Sequence, residues 1–251
     1  MRRWLLLLWI LAPLPVVVWH FGAGQKWLAR DRANTLLAEA QRAESRGAWS
    51  DAETLYRQAV AGLGPAESGS IDKPLKVRLD MALARARYRQ GGAVDSIDGM
   101  DRIVADPGFP SLPEELQREA RELAGRIHYY AAWVLRLEGA QRDLWMEEAE
   151  FSRQNFRMLA ETSLAASRTN YSLIQQTNLE SAIRLERMSL TELMARPLPE
   201  EGRTLVGQGL SEQMGRRRGR RGDQPGIGPQ PDIKEPGKGA GNERFKPGPG
   251  S

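Results

Sequence analysis

The amino-acid sequence predicts an all-helical fold, preceded by an apolar amino-terminal segment and followed by a tail that is poor in apolar residues. The apolar side chains of residues 4–21 are nearly continuous, whereas from Ala33 to about Leu193 they recur at the three- and four-residue spacing of an α-helix. Residues 202–251 contain 13 Gly and 6 Pro. The chain of 251 residues has no cysteine, which excludes disulfides, thiol catalysis and cysteine-ligated zinc.

The amino-terminal segment, residues 1–24, is predicted to be a membrane anchor that crosses the bilayer with residues 4–23. Its apolar stretch is about 20 residues long, which is the length that a hydrocarbon core requires. Arg2 and Arg3 precede it and favour a cytoplasmic amino terminus, with the bulk of the chain extracytoplasmic. A cleaved signal peptide is the alternative, because Gly22 and Gly24 have the small-residue spacing of a cleavage site.

Two amphipathic segments on either side of Gly47 predict an antiparallel pair of helices, the first in a helical domain of residues 25–196. The glycine separates the two apolar stripes, and Ser50 with Glu53 has the spacing of a capping box. Small residues occur where two helices would touch. The residues predicted to pack within this pair are Leu36, Ala40, Ala43, Gly47, Trp49, Ala52, Tyr56 and Ala59.

The segment from Asp72 to Pro110 has the same layout and predicts a second helix pair. Pro74 suits the first turn of a helix, and Gly91-Gly92 provides the turn between the helices. The two pairs are in register over one helix–turn–helix. Ala84, Gly91, Ser96, Met100 and Ile103 have the same spacing as Ala40, Gly47, Ala52, Tyr56 and Ala59.

These two pairs resemble the tetratricopeptide repeat, a unit of about 34 residues with small residues at the helix contacts, a glycine between helices and a late aromatic residue. Glu39 departs from the family pattern, which usually has an apolar residue there. The resemblance implies a membrane-anchored bacterial protein with a solenoid of antiparallel helix pairs, whose concave face binds peptides or protein segments. Since such arrays need about three units, we expect a third unit, with helices from Pro113 to Glu138 and around Trp145.

Residues 163–194 predict further helix, because neither Gly nor Pro occurs before Pro197. Its seven-residue spacing contains several polar positions, which makes a poor coiled-coil seam. We therefore favour a capping helix on the last repeat over an oligomerisation helix, and a homo-oligomer stays an alternative.

The tail, residues 197–251, is predicted to be disordered, because it has too few apolar residues to offset the entropy of ordering. From residue 202 onward it carries ten Lys/Arg and five Asp/Glu, a net charge of +5, whereas the whole chain carries +4. A solvated extension is the simplest interpretation, and contact with an anionic partner is the alternative. We expect no nucleic-acid partner, since no aromatic residue lies within the arginine run to stack on bases. The candidate contact residues are Arg216, Arg217, Arg218, Arg220 and Arg221.

The sequence contains no recognisable catalytic set, so we expect no enzyme activity, no cofactor and no metal. Its two histidines, His20 and His128, lie far apart and cannot form a paired-histidine metal site. His128 lies beside aromatic residues in a predicted helix, where we expect it to line the core or a groove.

Two shorter patterns also have plain structural interpretations. Ser70 and Lys73 match the Ser-x-x-Lys pattern of acyl-transfer enzymes, but Pro74 places the serine outside the helix that this chemistry requires. Asp95, Asp98 and Asp101 are spaced by three residues, unlike the alternating ligands of a calcium loop. We expect this acidic series to form a solvated helix face.

Together these features favour a non-enzymatic, membrane-tethered scaffold that binds a protein partner through its helix pairs. An envelope enzyme subunit with an unrecognised carboxylate site is one alternative. Binding of an anionic polymer through the arginine run is the other.

Overall fold

The chain folds into α-helices throughout the part described by the computed structural model, residues 23–64, 73–165 and 169–222. These residues form ten α-helices and one short 3-10 helix at Phe109–Ser111, and no strand. The predicted all-α class is confirmed for them. The helices are α1 (Ala23–Ser45), α2 (Trp49–Leu63), α3 (Lys73–Arg89), α4 (Ala93–Val104), α5 (Glu114–Leu137), α6 (Arg142–Ala165), α7 (Thr169–Arg187), α8 (Leu190–Met194), α9 (Glu200–Arg203) and α10 (Leu210–Gly222).

The predicted membrane anchor lies almost entirely outside the described residues, since only Ala23 and Gly24 belong to α1. Among the helices that are described, none combines the length and the apolar character needed to cross a bilayer.

Helices α1 and α2 form the first predicted pair, and Gly47 turns the chain between them with a φ of 73°. The predicted capping box is wrong. Backbone hydrogen bonds close the turn, with the Ala48 amide donating to the Ala43 carbonyl at 2.9 Å, so α2 already begins at Trp49. Ser50 therefore lies inside the first turn of α2.

Helices α3 and α4 form the second pair, and α3 begins one residue before Pro74 as the sequence predicts. Ser96 lies where the first pair has Ala52, and its hydroxyl donates to the Ala84 carbonyl of the facing helix at 2.8 Å. A small side chain is required there because the two backbones approach closely. The salt bridge between Arg85 and Glu44, at 2.9 Å, joins α3 to α1 and so links the two pairs.

Helices α5 and α6 form a longer third pair, as predicted, and α7 packs along α6. Gly125 lies where α5 meets α6, and a Cβ atom at this position would lie 2.8 Å from the Phe156 ring. The guanidinium of Arg136 donates to the backbone carbonyls of Leu185 and Met188. It therefore satisfies carbonyl groups at the end of α7, where a positive charge is also favoured by the helix dipole.

The buried apolar side chains form a series of clusters rather than one central core. One lies among α1, α2 and α3, a larger one among α3, α4, α5 and α10, and two smaller ones involve α5, α6, α7 and α8. From α1 to α7, each helix therefore buries its apolar face mainly against its neighbours in sequence, whereas α8, α9 and α10 pack back on α4, α5 and α6.

The prediction that disorder begins at residue 197 is wrong for residues 197–222, because this segment returns to the helical body and forms α9 and α10. Leu205, Leu210 and Met214 are buried in the cluster shared by α3, α4 and α5. A few well-spaced apolar side chains are enough here because the rest of the body is already in place. Residues 223–251 lie outside the described part of the chain.

We expect Gly125→Ala to destabilise the protein by about 1–3 kcal/mol, because the added methyl group would overpack the contact with Phe156. Gly62→Ala in α2 is the matched control, since nothing lies within 4 Å of its added Cβ, and it should be neutral or stabilising by up to about 1 kcal/mol. Urea unfolding of both variants measures the difference. Equal stabilities would show that α5 and α6 are not packed this closely.

Candidate functional site

A cluster of five ionisable side chains joins α10 to the helical body. Four helices contribute to this charge cluster, and three of its members are almost completely buried. Its members are Asp98 and Asp101 of α4, His128 of α5, Glu148 of α6 and Arg217 of α10.

His128 lies between two carboxylates in the interior, with an exposed fraction of 1%. Its Nδ1 donates to Glu148 Oε2 at 2.6 Å and its Nε2 donates to Asp101 Oδ1 at 3.1 Å. Burial by itself lowers the pKa of His128, but the charges and hydrogen bonds of Glu148 and Asp101 outweigh it and raise the pKa to about 9. The ring is therefore an imidazolium at neutral pH, which is the form that donates from both nitrogens.

Arg217 spreads its guanidinium over all three carboxylates, although only 6% of the residue is exposed. Its Nε donates to Asp98 at 2.6 Å, its Nη2 to Asp101 at 2.5 Å and its Nη1 to Glu148 at 3.3 Å. Burial opposes the charged form, but the three carboxylates outweigh it and raise the pKa of Arg217. This planar fork with several fixed donors is specific to arginine, because a lysine provides a single ammonium group.

The charge cluster is suited to clamping helices together rather than to chemistry. Two positive and three negative side chains leave a formal charge of −1, and internal N–H groups already bond each carboxylate. Within the described ranges, no group of three or more His, Asp or Glu side chains is arranged to hold a metal ion. Glu148 in particular is 1% exposed, so solvent and substrates do not reach it.

Three further contacts hold α10 in place. The carboxylate of Glu138, at the end of α5, accepts hydrogen bonds from the Leu210 and Ser211 amides at 3.2 and 2.7 Å. An anion at the amino-terminal end of a helix is favoured by the unpaired N–H groups and by the dipole. Arg218 forms a more exposed salt bridge with Asp143 at 2.6 Å.

The structure separates the five predicted arginine contacts. Arg217 is buried against internal carboxylates, so it is not the external contact that was predicted. Arg216 pairs with Glu212 on its own helix at 2.5 Å, and Arg218 pairs with Asp143. Arg220 and Arg221 belong to the last turn of α10, and contact of these four with an anionic partner stays a prediction.

The prediction for His128 is confirmed, since its ring is buried in the core. The prediction of a solvated acidic face on α4 is wrong for Asp101, which α10 covers, whereas Asp98 pairs with Arg217 but its side chain is still 41% exposed. One signal in the sequence pointed to this contact. Leu210, Met214 and Arg217 lie on one helical face, although the surrounding segment is almost entirely polar.

A groove between α2, α3 and α4 is the second candidate site, with a volume of about 530 Å³. Its floor is apolar and is formed mainly by α3 and by the 3-10 helix. The floor consists of Val77, Leu83, Ala84, Ile103, Phe109 and Leu112. Charged side chains surround this floor, so the groove combines apolar surface with groups that can orient a ligand.

Five cations and three carboxylates line the groove, and Glu53 beside it pairs with two of the cations at 2.9 and 3.3 Å. The cations are Arg57, Lys73, Lys76, Arg87 and Arg102, and the carboxylates are Asp80, Asp95 and Asp106. Lys76 pairs with Asp80 at 3.0 Å and Lys73 with Asp106 at 2.8 Å. Arg102 donates through Nε to the backbone carbonyl of Asp98, so its charge is not neutralised by that bond.

Lys73, the lysine of the Ser-x-x-Lys pattern, has a structural role. Its ammonium group is packed against Gly108 and paired with Asp106. The bond from Lys73, followed by that from the Gly108 amide, lowers the pKa of Asp106. Ser70 lies outside the described residues.

Nine of the predicted repeat-packing residues lie in helices α1 to α4, whereas Gly47 and Gly91 lie in the turns, and Ala84 is the one that also lines the groove. Most of them are buried: Ala40, Ala43, Ala52, Tyr56, Ala59, Ala84 and Met100. No family model, no curated protein and no solved structure matches the chain.

We expect Arg217→Ala to destabilise the protein by roughly 3 kcal/mol, because it removes one of the two cations that compensate the buried carboxylate of Glu148. Arg218→Ala is the matched control, since its salt bridge is exposed and should contribute less than about 1 kcal/mol. Urea unfolding, monitored by circular dichroism, measures the free energy of unfolding of both variants. Similar losses for the two variants would contradict a special role for Arg217.

We also expect the stability provided by His128 to depend on pH. The pKa of His128 is about 9 in the folded protein and 6.5 when these contacts are absent. The folded state therefore holds the proton more tightly. The stabilisation is therefore complete below about pH 6.5 and is lost as the pH rises through 9. Asp101 of α4 and Glu148 of α6 face the ring.

The measurement is the free energy of unfolding between pH 6 and pH 10 for the wild type and for His128→Gln. The wild type should lose stability more steeply than the variant, because other titrating groups contribute equally to both. Parallel curves would mean that His128 is not held as an imidazolium.

Proposed function

We propose that the protein is a non-enzymatic scaffold that binds a segment of a partner protein and is tethered to a membrane by its amino-terminal segment. The observation that carries this proposal is the groove between α2, α3 and α4, whose apolar floor is surrounded by charged side chains. An extended or helical segment gains from burying apolar side chains on such a floor, and the charges would fix its orientation.

The fold that we propose is a tetratricopeptide-like solenoid. Two observations support it. The helices pack mainly against their sequence neighbours as antiparallel pairs, and equivalent positions of the first two pairs are buried in the same way, Ala52 with Ser96 and Tyr56 with Met100. Stacked pairs of this kind create extended binding surfaces, because each unit contacts only the next.

The membrane tether is supported by the sequence of residues 4–23 and by the start of α1. Trp27 and Leu28 are 55% and 57% exposed there, immediately after the apolar segment. Tryptophan is enriched where a protein meets the membrane interface. We therefore place α1 next to the bilayer, with the groove further along the chain and the body extracytoplasmic.

The partner segment that fits the groove is apolar with flanking acidic residues. The floor accepts aliphatic or aromatic side chains. Even when Glu53 is counted, which pairs with Arg57 and Arg87 at 2.9 and 3.3 Å, the five cations exceed the four carboxylates, and this favours negative charge in the ligand. Binding of an anionic polymer through the arginine run has less support, because Arg217 is buried and Arg216 and Arg218 are paired within the protein.

The test compares Ala61→Glu with Ala165→Glu in the full chain, purified from membranes in mild detergent. Ala61 lines the groove and is exposed. A glutamate side chain at this position would repel acidic residues of the ligand and narrow the groove. Ala165 is an equally exposed alanine near the end of α6. We expect a protein that co-purifies with the wild type and with Ala165→Glu to be lost, by roughly tenfold, from Ala61→Glu. Equal recovery from both variants would reject the groove as the binding site.

A further inference from the structure

We propose that the seat of α10 is a second, separate recognition site, which accepts an arginine-bearing amphipathic helix of a partner protein in exchange for α10. The seat consists of Glu138, Asp143 and the acidic members of the charge cluster, together with the apolar surface that covers Leu210 and Met214. The inference rests on the proposed function in one respect, since it also concerns protein binding, but it uses a different surface.

The seat recognises features spread along two turns of helix. Glu138 binds the amino-terminal amides, and the apolar surface holds Leu210 and, four residues later, Met214. The carboxylates of the charge cluster bind Arg217, and Asp143 binds Arg218. Anchors at the first, fifth and eighth positions lie on one helical face, which is how amphipathic helices are bound in grooves.

Docking, rather than its own sequence, keeps α10 helical. Gly215 and Gly219 lie in its interior, and nothing is within 4 Å of a Cβ added at either position. Each glycine makes an isolated helix less stable than alanine would, and a helix of 13 residues is marginal in water even without them. A helix that folds only in its seat can leave it by unfolding locally.

The chain before α10 allows this exchange. Gly207 and Gly209 have φ values of 79° and 64°, a conformation that glycine adopts without strain. Leu205 is completely buried just before them. These two glycines therefore form a hinge between α10 and the buried Leu205.

An empty seat retains a strong preference for a cation. Without Arg217, the three carboxylates face a single imidazolium, so the formal charge of the remaining cluster is −2. Glu148 is buried and cannot be hydrated fully in place, which makes an unpaired carboxylate costly. The arrangement of three acceptors around one guanidinium also selects arginine over lysine.

These contacts define the partner by its chemistry. It is a helix with apolar residues at positions one and five and arginines at positions eight and nine, and it competes directly with α10. The same charge pattern disfavours acidic helices, so the seat and the groove select different ligands.

The experiment uses the full chain in detergent and a fluorescent peptide with the sequence of residues 208–222. Arg216→Pro should release α10, because proline disrupts a helix interior. It leaves the residues of the seat unchanged, since Arg216 is exposed and pairs with Glu212 of its own helix. Gly215→Ala with Gly219→Ala is the opposite variant, since both alanines strengthen α10 in its seat.

We expect the peptide to bind the Arg216→Pro chain with a stoichiometry of one and to bind the double-alanine chain at least about tenfold more weakly. The peptide carrying Arg217→Ala should bind the opened chain about 100-fold more weakly than the native peptide. In the wild type, amide hydrogens of α10 should exchange by local opening, faster than those of α5.

Four results would overturn the proposal. The opened chain could keep its helical body yet bind no peptide, or the two peptides could bind equally well. If Arg216→Pro unfolds the body, amide hydrogen exchange in the wild type tests the proposal instead. Amides of α10 that exchange only when the whole protein unfolds would show that α10 does not leave its seat. A wild-type dimer that Arg216→Pro dissociates would assign the seat to a second copy of the chain instead.

Ala61→Glu should leave peptide binding unchanged, so failure of the groove and failure of the seat are distinguishable.

Discussion

The buried carboxylate of Glu148 is the constraint on which the carboxyl-terminal half of the structure depends. A charge that is removed from water must be compensated by nearby cations and hydrogen-bond donors. The protein provides two, the imidazolium of His128 from the facing helix and the guanidinium of Arg217 from α10. Because these groups come from distant parts of the sequence, compensating one charge brings α5, α6 and α10 together, and the same two cations also bind Asp98 and Asp101 of α4.

The amino-terminal half is held together in a different way, by small residues and apolar contacts between consecutive helices. Ala40 and Ala52 are completely buried, and Ser96 bonds directly to the Ala84 carbonyl. Close approach of backbones accounts for both pairs, and the Arg85–Glu44 bridge adds a link between them. This half therefore needs only local pairing, while the groove arises where α3 lies between α2 and α4.

These two kinds of stabilisation assign different roles to the two candidate sites. The groove is built from rigid helices, so its shape is present before a ligand arrives and binding loses little freedom. The seat is filled by a helix with poor intrinsic stability, so access to it depends on a local unfolding equilibrium. A scaffold with both would bind one partner segment constantly and another only in competition with its own carboxyl-terminal helix.

The sequence by itself determined the helical class, the two turns at Gly47 and Gly91 and the residues packed within the first two pairs, because helical periodicity and glycine turns are local properties of the chain. It also indicated that His128 is buried. It did not show where Asp98, Asp101 and Arg217 meet, since residues up to 119 positions apart in the chain are joined by no local pattern. Arg217 lies in a run of arginines that reads as a solvated tail, and only the surface formed by α4, α5 and α6 gives α10 something to fold against. Tertiary structure decided that contact, because α10 is a poor helix by itself and the buried carboxylate of Glu148 lacks one of its two cations without it.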